Sequence, residues 1–383
     1  MLMIRNFKTL LITLLLVISS AAGVWAQVTA VAPAVGDGSA GAPYEISTPA
    51  EFKWFFKEGI TANPGACAIL TQDIDLAEVC YFNNSWIPAE GIQYSGTFDG
   101  QNHVIDNFYS YRSSDNIGLF RHLNGATVRN VKFDHVTISN ANWYAGTVAA
   151  WAEGATIQNV HILKGGTIDG QMWIGGLVGQ GYCHVADCSN YAYVRANMGN
   201  GGGIVGGDWS GHTSSDVPDK QLIIERCVNG GRVVANTRFD SGVTIGGIVG
   251  SLSCGEVSNC VALPVDGPTG NWSGVTGGIV GSVSLVVGCP VTIEHCLNLN
   301  NVGAFYNYGD GTGQILGSVM YNGASGVTLP TVTIRDCYWS SEATLRNNSV
   351  DKTNRISSHA YSELTRIAGH DYVTSCSSGA VIF

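Results

Sequence analysis

Gly176-Leu177-Val178-Gly179, followed downstream by Val185-Ala186-Asp187-Cys188, is the phrase that decides how this 383-residue chain folds. The apolar tetrad returns as Gly203-Ile204-Val205-Gly206, Gly247-Ile248-Val249-Gly250 and Gly278-Ile279-Val280-Gly281. Looser copies stand at Gly118-Leu119-Phe120, Gly146-Thr147-Val148 and Gln314-Ile315-Leu316-Gly317. After each comes a second phrase ending in valine or cysteine, at Val131, Val160, Cys188, Cys227, Cys260, Cys296 and Cys337. Those last members lie 28 to 41 residues apart. A period of that length signals a solenoid, whose copies are too short to close a core singly and share one when stacked.

The units read as strands, being short, rich in β-branched residues and divided by Gly, Asn, Asp and Ser. Within the second phrase the apolar positions are three apart, which a flat strand would put on opposite faces. A corner between them resolves this. The third position holds Asn130, Asn159, Asp187, Arg226, Asn259, His295 and Asp336, mostly residues that tolerate a left-handed backbone. The tetrad glycines are expected to turn a second corner in the same way, where a Cβ would clash. The fold class that follows is all-β, a right-handed parallel β-helix with a short N-terminal capping helix.

The tetrads resemble the GLUG motif of bacterial secreted and cell-surface proteins, and Gly176-Leu177-Val178-Gly179 spells it out. The likeness extends upstream through Tyr44-Glu45-Ile46-Ser47, Leu70 to Leu76, Trp86-Ile87-Pro88 and Gly96 to Ile105, so it covers about Tyr44 to Trp339. It implies a surface location and a β-helix. It implies no agreed activity and no catalytic residues.

Arg5 and Lys8 precede an apolar run from Leu10 to Ile18, then small residues and Val24-Trp25-Ala26, which reads as a secretory signal peptide over 1–26. The expected organisation continues with a linker over 27–43, an N-terminal cap and first coils over 44–110, the repeats over 111–340 and a C-terminal cap or tail over 341–383. No segment is apolar for the length a bilayer span needs. No cysteine precedes Cys67, which argues against an N-terminal lipid anchor. With 29 acidic against 19 basic residues, nucleic acid and anionic membrane surfaces are poor partners.

Eleven cysteines in an exported chain suggest disulfides, but the number is odd and five fall in one repeat column that begins with valine. Cys188, Cys227, Cys260, Cys296 and Cys337 therefore read as small buried hydrophobes. Cys67 with Cys80, and Cys254 with Cys289, are the candidate bridges. At the N-terminus, Thr48 reads as a helix N-cap, Pro49 as the first helical residue and Glu51 as the capping-box partner. Phe52, Phe55 and Phe56 would share a face laid across the first rung, with Gly59 ending the helix. Such a lid protects an open sheet edge.

From the leading tetrad glycine to the valine or cysteine, the spacing is 12 to 14 residues in four repeats and 24, 18 and 23 in the others. Three loops should thus leave one flank, at 207–221, 282–290 and 318–330, and insertions on one side of a solenoid often mark its binding face. The first is chemically the richest, and Asp208, Trp209, His212, Asp216 and Asp219 are the candidate ligand-binding residues. A second aromatic set, Trp143, Tyr144, Trp173, Trp272, Tyr306 and Tyr308, would form either a carbohydrate platform or a ladder packing a corner.

Gly201 to Gly206 matches a dinucleotide fingerprint but lacks the βαβ context, so it reads as repeat glycine. Cys183-His184 with Cys188 resembles a metal cluster, yet Cys188 belongs to the core column. Asp73 and Asp75 read as a strand end. No zinc-protease or nucleophile-elbow motif occurs, and no catalytic residue, metal or cofactor is expected. The expectation is a monomeric, exported β-helix binding a glycan or surface protein without catalysis. A polysaccharide-degrading enzyme, or a spacer within a larger adhesin, is the alternative.

Overall fold

The computed structural model describes residues 28–111, 116–163, 165–208, 220–235, 243–265, 269–271, 275–304, 312–320, 331–339 and 345–346. Its strands fall into three parallel sheets of 22, 8 and 7 strands, and every named strand pair is parallel, coil upon coil. Register follows the repeat: Val178 pairs with Val205, Val205 with Val249 and Val249 with Val280. Val185, Ile224, Val257 and Ile293 form a second inward column. The chain is a parallel β-helix.

All seven third-position residues adopt left-handed φ, between 50° and 57°. The bend turns the valine or cysteine that follows into the core, where all seven are buried. Neighbouring corner side chains bond one another along the axis. Asn159 Nδ2 donates to Asn130 Oδ1 at 2.9 Å, and Arg226 Nε donates to Asp187 Oδ1 at 2.7 Å. That pairing gives Arg226, the least obvious residue for such a backbone, a partner on the coil below.

The tetrad glycines differ from expectation, because they are absent from the left-handed region. Their requirement is space, and it extends to the glycine just before each of three tetrads. A Cβ on Gly202, Gly246 or Gly277 would lie 1.8 Å from the carbonyl oxygen of Val205, Val249 or Val280. The glycine after each meets either the next coil's backbone or a buried asparagine: Asn229 for Gly203, Asn298 for Gly278. Asn190 and Asn229 bond across coils at 3.0 Å while each closes its own turn onto Ala192 and Gly231.

Thr48 caps the helix Pro49–Trp54 by accepting from Glu51 N at 3.2 Å. Glu51 reaches back to Ser47 N at 2.8 Å. Gly59 does not end the helix: a π-turn at Phe55–Gly59 leads into Ile60–Ala62 and the chain leaves at Asn63. The wider turn keeps Phe52, Phe55 and Phe56 together over Phe98 and Phe120, all fully buried. The stretch expected as a linker is tied down where it is described. Val31 N donates to Ala50 O, Glu45 N to Val35 O, and Gly38 O accepts from Cys67 N.

The ten described cysteines are free thiols, all buried. Each column thiol donates towards two carbonyls, as Cys188 does to Ala186 O at 3.0 Å and Ile157 O at 3.6 Å. The expected bridges are not formed: Cys67 faces Gly65 O and Cys80 faces Asn107 O, while Cys254 and Cys289 meet as hydrogen-bonded thiols. Burial pushes Cys183 up to about 12 and also raises Cys188 and Cys260. An unfolded thiol ionises near pH 8.5. Folded pKa values above that mean the stabilisation is complete below pH ~8.5 and is lost as pH rises towards the folded values. Melting midpoints should therefore hold to about pH 8 and fall beyond pH 9. Cys183 alone should account for about 1.4 kcal/mol per pH unit. An identical alkaline slope in Cys183→Ala would refute this.

Candidate functional site

Of the five residues expected to bind ligand, Trp209, His212, Asp216 and Asp219 lie outside the described residues. Asp208 is buried and structural in its contacts. Its carboxylate accepts from Ser253 N, from Ser253 Oγ at 3.0 Å and from Cys254 N at 2.9 Å, and its carbonyl accepts from Gln180 Nε2 at 2.8 Å. It thus staples three coils at a corner, where backbone N–H groups need an acceptor. The carboxylate faces the protein.

Of the aromatic set, Trp143, Tyr144 and Trp173 lie together on neighbouring coils. Tyr144 pairs in register with Asn116 on one side and Trp173 on the other. Trp143 stacks on Trp173 with centroids 6.3 Å apart and planes 15° off parallel. Tyr144 packs against Trp173 at 5.3 Å and edge-on against Trp151 at 5.0 Å. The inner rings pack a corner, as one of the two expectations had it, whereas Trp143 keeps 45% of its surface exposed. Trp272, Tyr306 and Tyr308 lie outside the described residues.

Below this strip is a cavity of about 320 Å³. It is lined by Asn116, Arg121, His122, Tyr144 and Trp151 from the first two repeats and by Gly91, Ile92 and Gln93 from the segment before them. That segment is anchored at Tyr94, whose N donates to His122 O at 2.9 Å and whose O accepts from Asn124 N at 2.7 Å. Gln93 Oε1 also accepts from Asn124 Nδ2. At the rim Arg121 Nη1 meets the exposed Glu90 at 3.1 Å.

Of the lining residues, Trp151 donates from Nε1 to Glu153 Oε1 at 2.9 Å. His122 Nε2 lies 3.5 Å from Glu153 Oε2, a polar contact that falls short of hydrogen-bond geometry. Burial lowers the His122 pKa against the opposing pull of Glu153, so the ring is neutral at pH 7. Asn116 Oδ1 and His122 Nε2 are both buried without a hydrogen-bond partner. Both residues line the cavity, but these two atoms have almost no accessible surface of their own.

The two metal-like groupings weighed from the sequence are otherwise engaged. Cys183 and His184 alternate on one strand, so the thiol is buried while His184 turns outward to Glu225 at 2.9 Å. Asp75 accepts from Ala77 N and Asn107 Nδ2, and Asp73 from Val104 N. Asp106, Asp134 and His135 converge within 4.8 Å, with His135 Nδ1 bonded to Asp106 Oδ1 at 2.8 Å. Among the described residues no helix is long and apolar enough to cross a membrane.

A parallel β-helix carrying an aromatic strip and an adjoining cavity is thus the class that fold and flank define. No family model matches the chain. A crystal structure of a Bacteroides ovatus chain, provisionally named an immunoglobulin A1 protease, superposes with a TM-score of 0.54 at 20% identity over 91% of this chain and 94% of that one. A second structure, named IgA1 protease, gives a TM-score of 0.56 at 18% identity over 80% of this chain and 22% of its own. At these identities the likeness is one of fold. In sequence, halomucin of Haloquadratum walsbyi is 30% identical over 159 residues, 38% of this chain, which spans about 2% of halomucin's length.

Proposed function

We propose that this chain is an exported, cell-surface or extracellular β-helix acting as a non-catalytic binding module for glycans or surface proteins. The observation that carries the reading is the half-exposed Trp143 stacked on Trp173 beside a polar-lined cavity. Flat indoles held rigid by a sheet present apolar faces to sugar rings at little entropic cost. Support for export comes from the leader-like residues 1–26 and from the resemblance of the tetrads to the GLUG motif of bacterial cell-surface proteins. The structural neighbours named for immunoglobulin A1 proteolysis, and halomucin, agree with a life outside the cell.

The test is a binding screen of the purified protein against polysaccharides, mucins and matrix proteins, with product release followed in the same wells. Saturable binding without products is expected. Trp143→Ala should weaken it at least tenfold, equivalent to about 1.4 kcal/mol, with the circular dichroism unchanged. New reducing ends or cleaved protein would make the chain an enzyme, and silence in both channels would make it a spacer.

A further inference from the structure

We propose that the N-terminal lid carries a second interaction surface, where Lys53 and Lys57 receive one carboxylate side chain of a partner protein and the exposed rings of Phe82 and Tyr111 take the apolar residues beside it. This surface is separate from the Trp143 flank and does not rest on the reading of that flank.

The helix places the lysines. Phe52 and Phe56 turn into the core, and Lys53 and Lys57, each one residue further on, are four apart and so share the neighbouring face. Both line a cavity of about 160 Å³, together with Val79 and residues 84–87. Lys57 Nζ stands over the Trp86 ring at 4.7 Å, and Lys53 Nζ spends one of its three donors on Val28 O at 2.6 Å. The polar neighbours are tied to backbone. Asn84 Nδ2 donates to Val79 O, and Ser85 Oγ donates to Tyr111 O while accepting from Tyr111 N. The site therefore holds its shape before a partner arrives, which lowers the ordering cost of binding.

Charge names the group. Two lysines and no aspartate or glutamate line the cavity, in a chain whose net charge is −10. Glu51 is engaged with Ser47, Asp75 with Ala77 N and Asn107 Nδ2, and Glu58 is exposed outside the lining. An anion is the complement of such a lining. Size limits it to one side chain, because small-molecule cavities start near about 300 Å³ and this one is half that, room for a carboxylate on a short stem.

The rim gives the class of partner. Phe82 is 73% exposed, Tyr111 50% and Ile87 42%. Ile87 lines the cavity, Ser85 bonds Tyr111, and Phe82 lies 6.2 Å from Tyr111 between ring centroids, so the three adjoin the lysines. Grouped exposed aromatics beside a charged pocket have the make-up of a protein interface. The Phe82 and Tyr111 planes stand 38° apart and form a notch for a side chain, whereas Trp143 and Trp173 lie within 15° of parallel.

The experiment probes the purified protein with an array of short peptides, each setting one Glu between apolar residues in a Gly/Ser frame and printed beside its Gln twin. Hits are titrated in solution by fluorescence polarisation. Glu peptides should bind at least tenfold more tightly than their twins and weaken as salt is raised. Lys57→Gln and Phe82→Ala should each weaken them at least fivefold with circular dichroism unchanged, and Lys57→Arg, which keeps the charge, should retain most of the affinity. If Lys57→Gln disturbs the lid, Lys53→Gln reads the same charge. Equal binding of the twins, no peptide binding, or displacement of the best peptide by an acidic oligosaccharide such as oligogalacturonate at lower concentration overturns the inference. None of these outcomes touches the reading of the strip, which is judged by Trp143→Ala.

Discussion

Gly246→Ala will destabilise the protein by about 3 kcal/mol or more, an overpacking cost at the upper end of its class. The added methyl would stand 1.8 Å from Val249 O and 2.7 Å from Gly281 N, and both obstacles are backbone. No side chain can swing away to make room. Thr244–Gly246 is paired with Asn200–Gly202 on one side and Val275–Gly277 on the other, so a shift to relieve the clash must break register with two coils. Gly202 and Gly277 face the same contact on those coils, which removes any slack along the axis. The comparison is Gly41→Ala, because a Cβ at Gly41 meets nothing within 4 Å. Denaturant unfolding followed by circular dichroism should separate the two variants clearly, with Gly41→Ala within about 0.5 kcal/mol of the parent. Equal midpoints would mean that the corner is looser than these distances require.

Phe56→Ala should cost about 3–5 kcal/mol, the usual range for deleting a buried phenyl ring. Phe56 is fully buried and lies 4.5 Å from Phe52, 5.1 Å from Phe55, 5.3 Å from Phe98 and 5.0 Å from Phe120 between ring centroids. Phe120 belongs to the first repeat, so Phe56 joins the lid to the solenoid. Repeat arrays lose cooperativity when an end is weakened, and the lid should then melt ahead of the central coils. Opening it bares a parallel sheet edge, so light scattering should report self-association at temperatures where the coils are still folded. Phe82→Ala, at a ring that is 73% exposed, should do neither. A single shared transition for Phe56→Ala without association would show that the lid does not guard the edge.

The corner residues were legible because their requirement is local. A left-handed backbone between two inward side chains needs a tolerant residue, and Asn130 through Asp336 declare it coil by coil. The cysteine column was legible for the same reason, since a position that holds valine on two coils and cysteine on five is apolar in kind. Gly59 was misread because a glycine near a helix end suggests a stop, while the packing of three phenylalanines carries the helix one turn further. The burial of Asp208 was not legible, because a carboxylate beside a long insertion looks solvent-facing. Only the fold brings Ser253 and Cys254 against it.

Sequence by itself determined the coil, its left-handed corner and its apolar columns. Each repeats at the period of the fold, so neighbours along the axis can be read as neighbours in the text. Tertiary structure alone decided the cavity. Its walls join Gly91–Gln93 to Arg121, His122 and Trp151, and Tyr94 holds them together through backbone bonds to His122 and Asn124. Those contacts lie between the cap region and the first coils, where no repeat sets a register. Nor can composition tell a satisfied polar atom from an orphaned one: Asn116 and His122 are common residues in ordinary strands until burial removes their water.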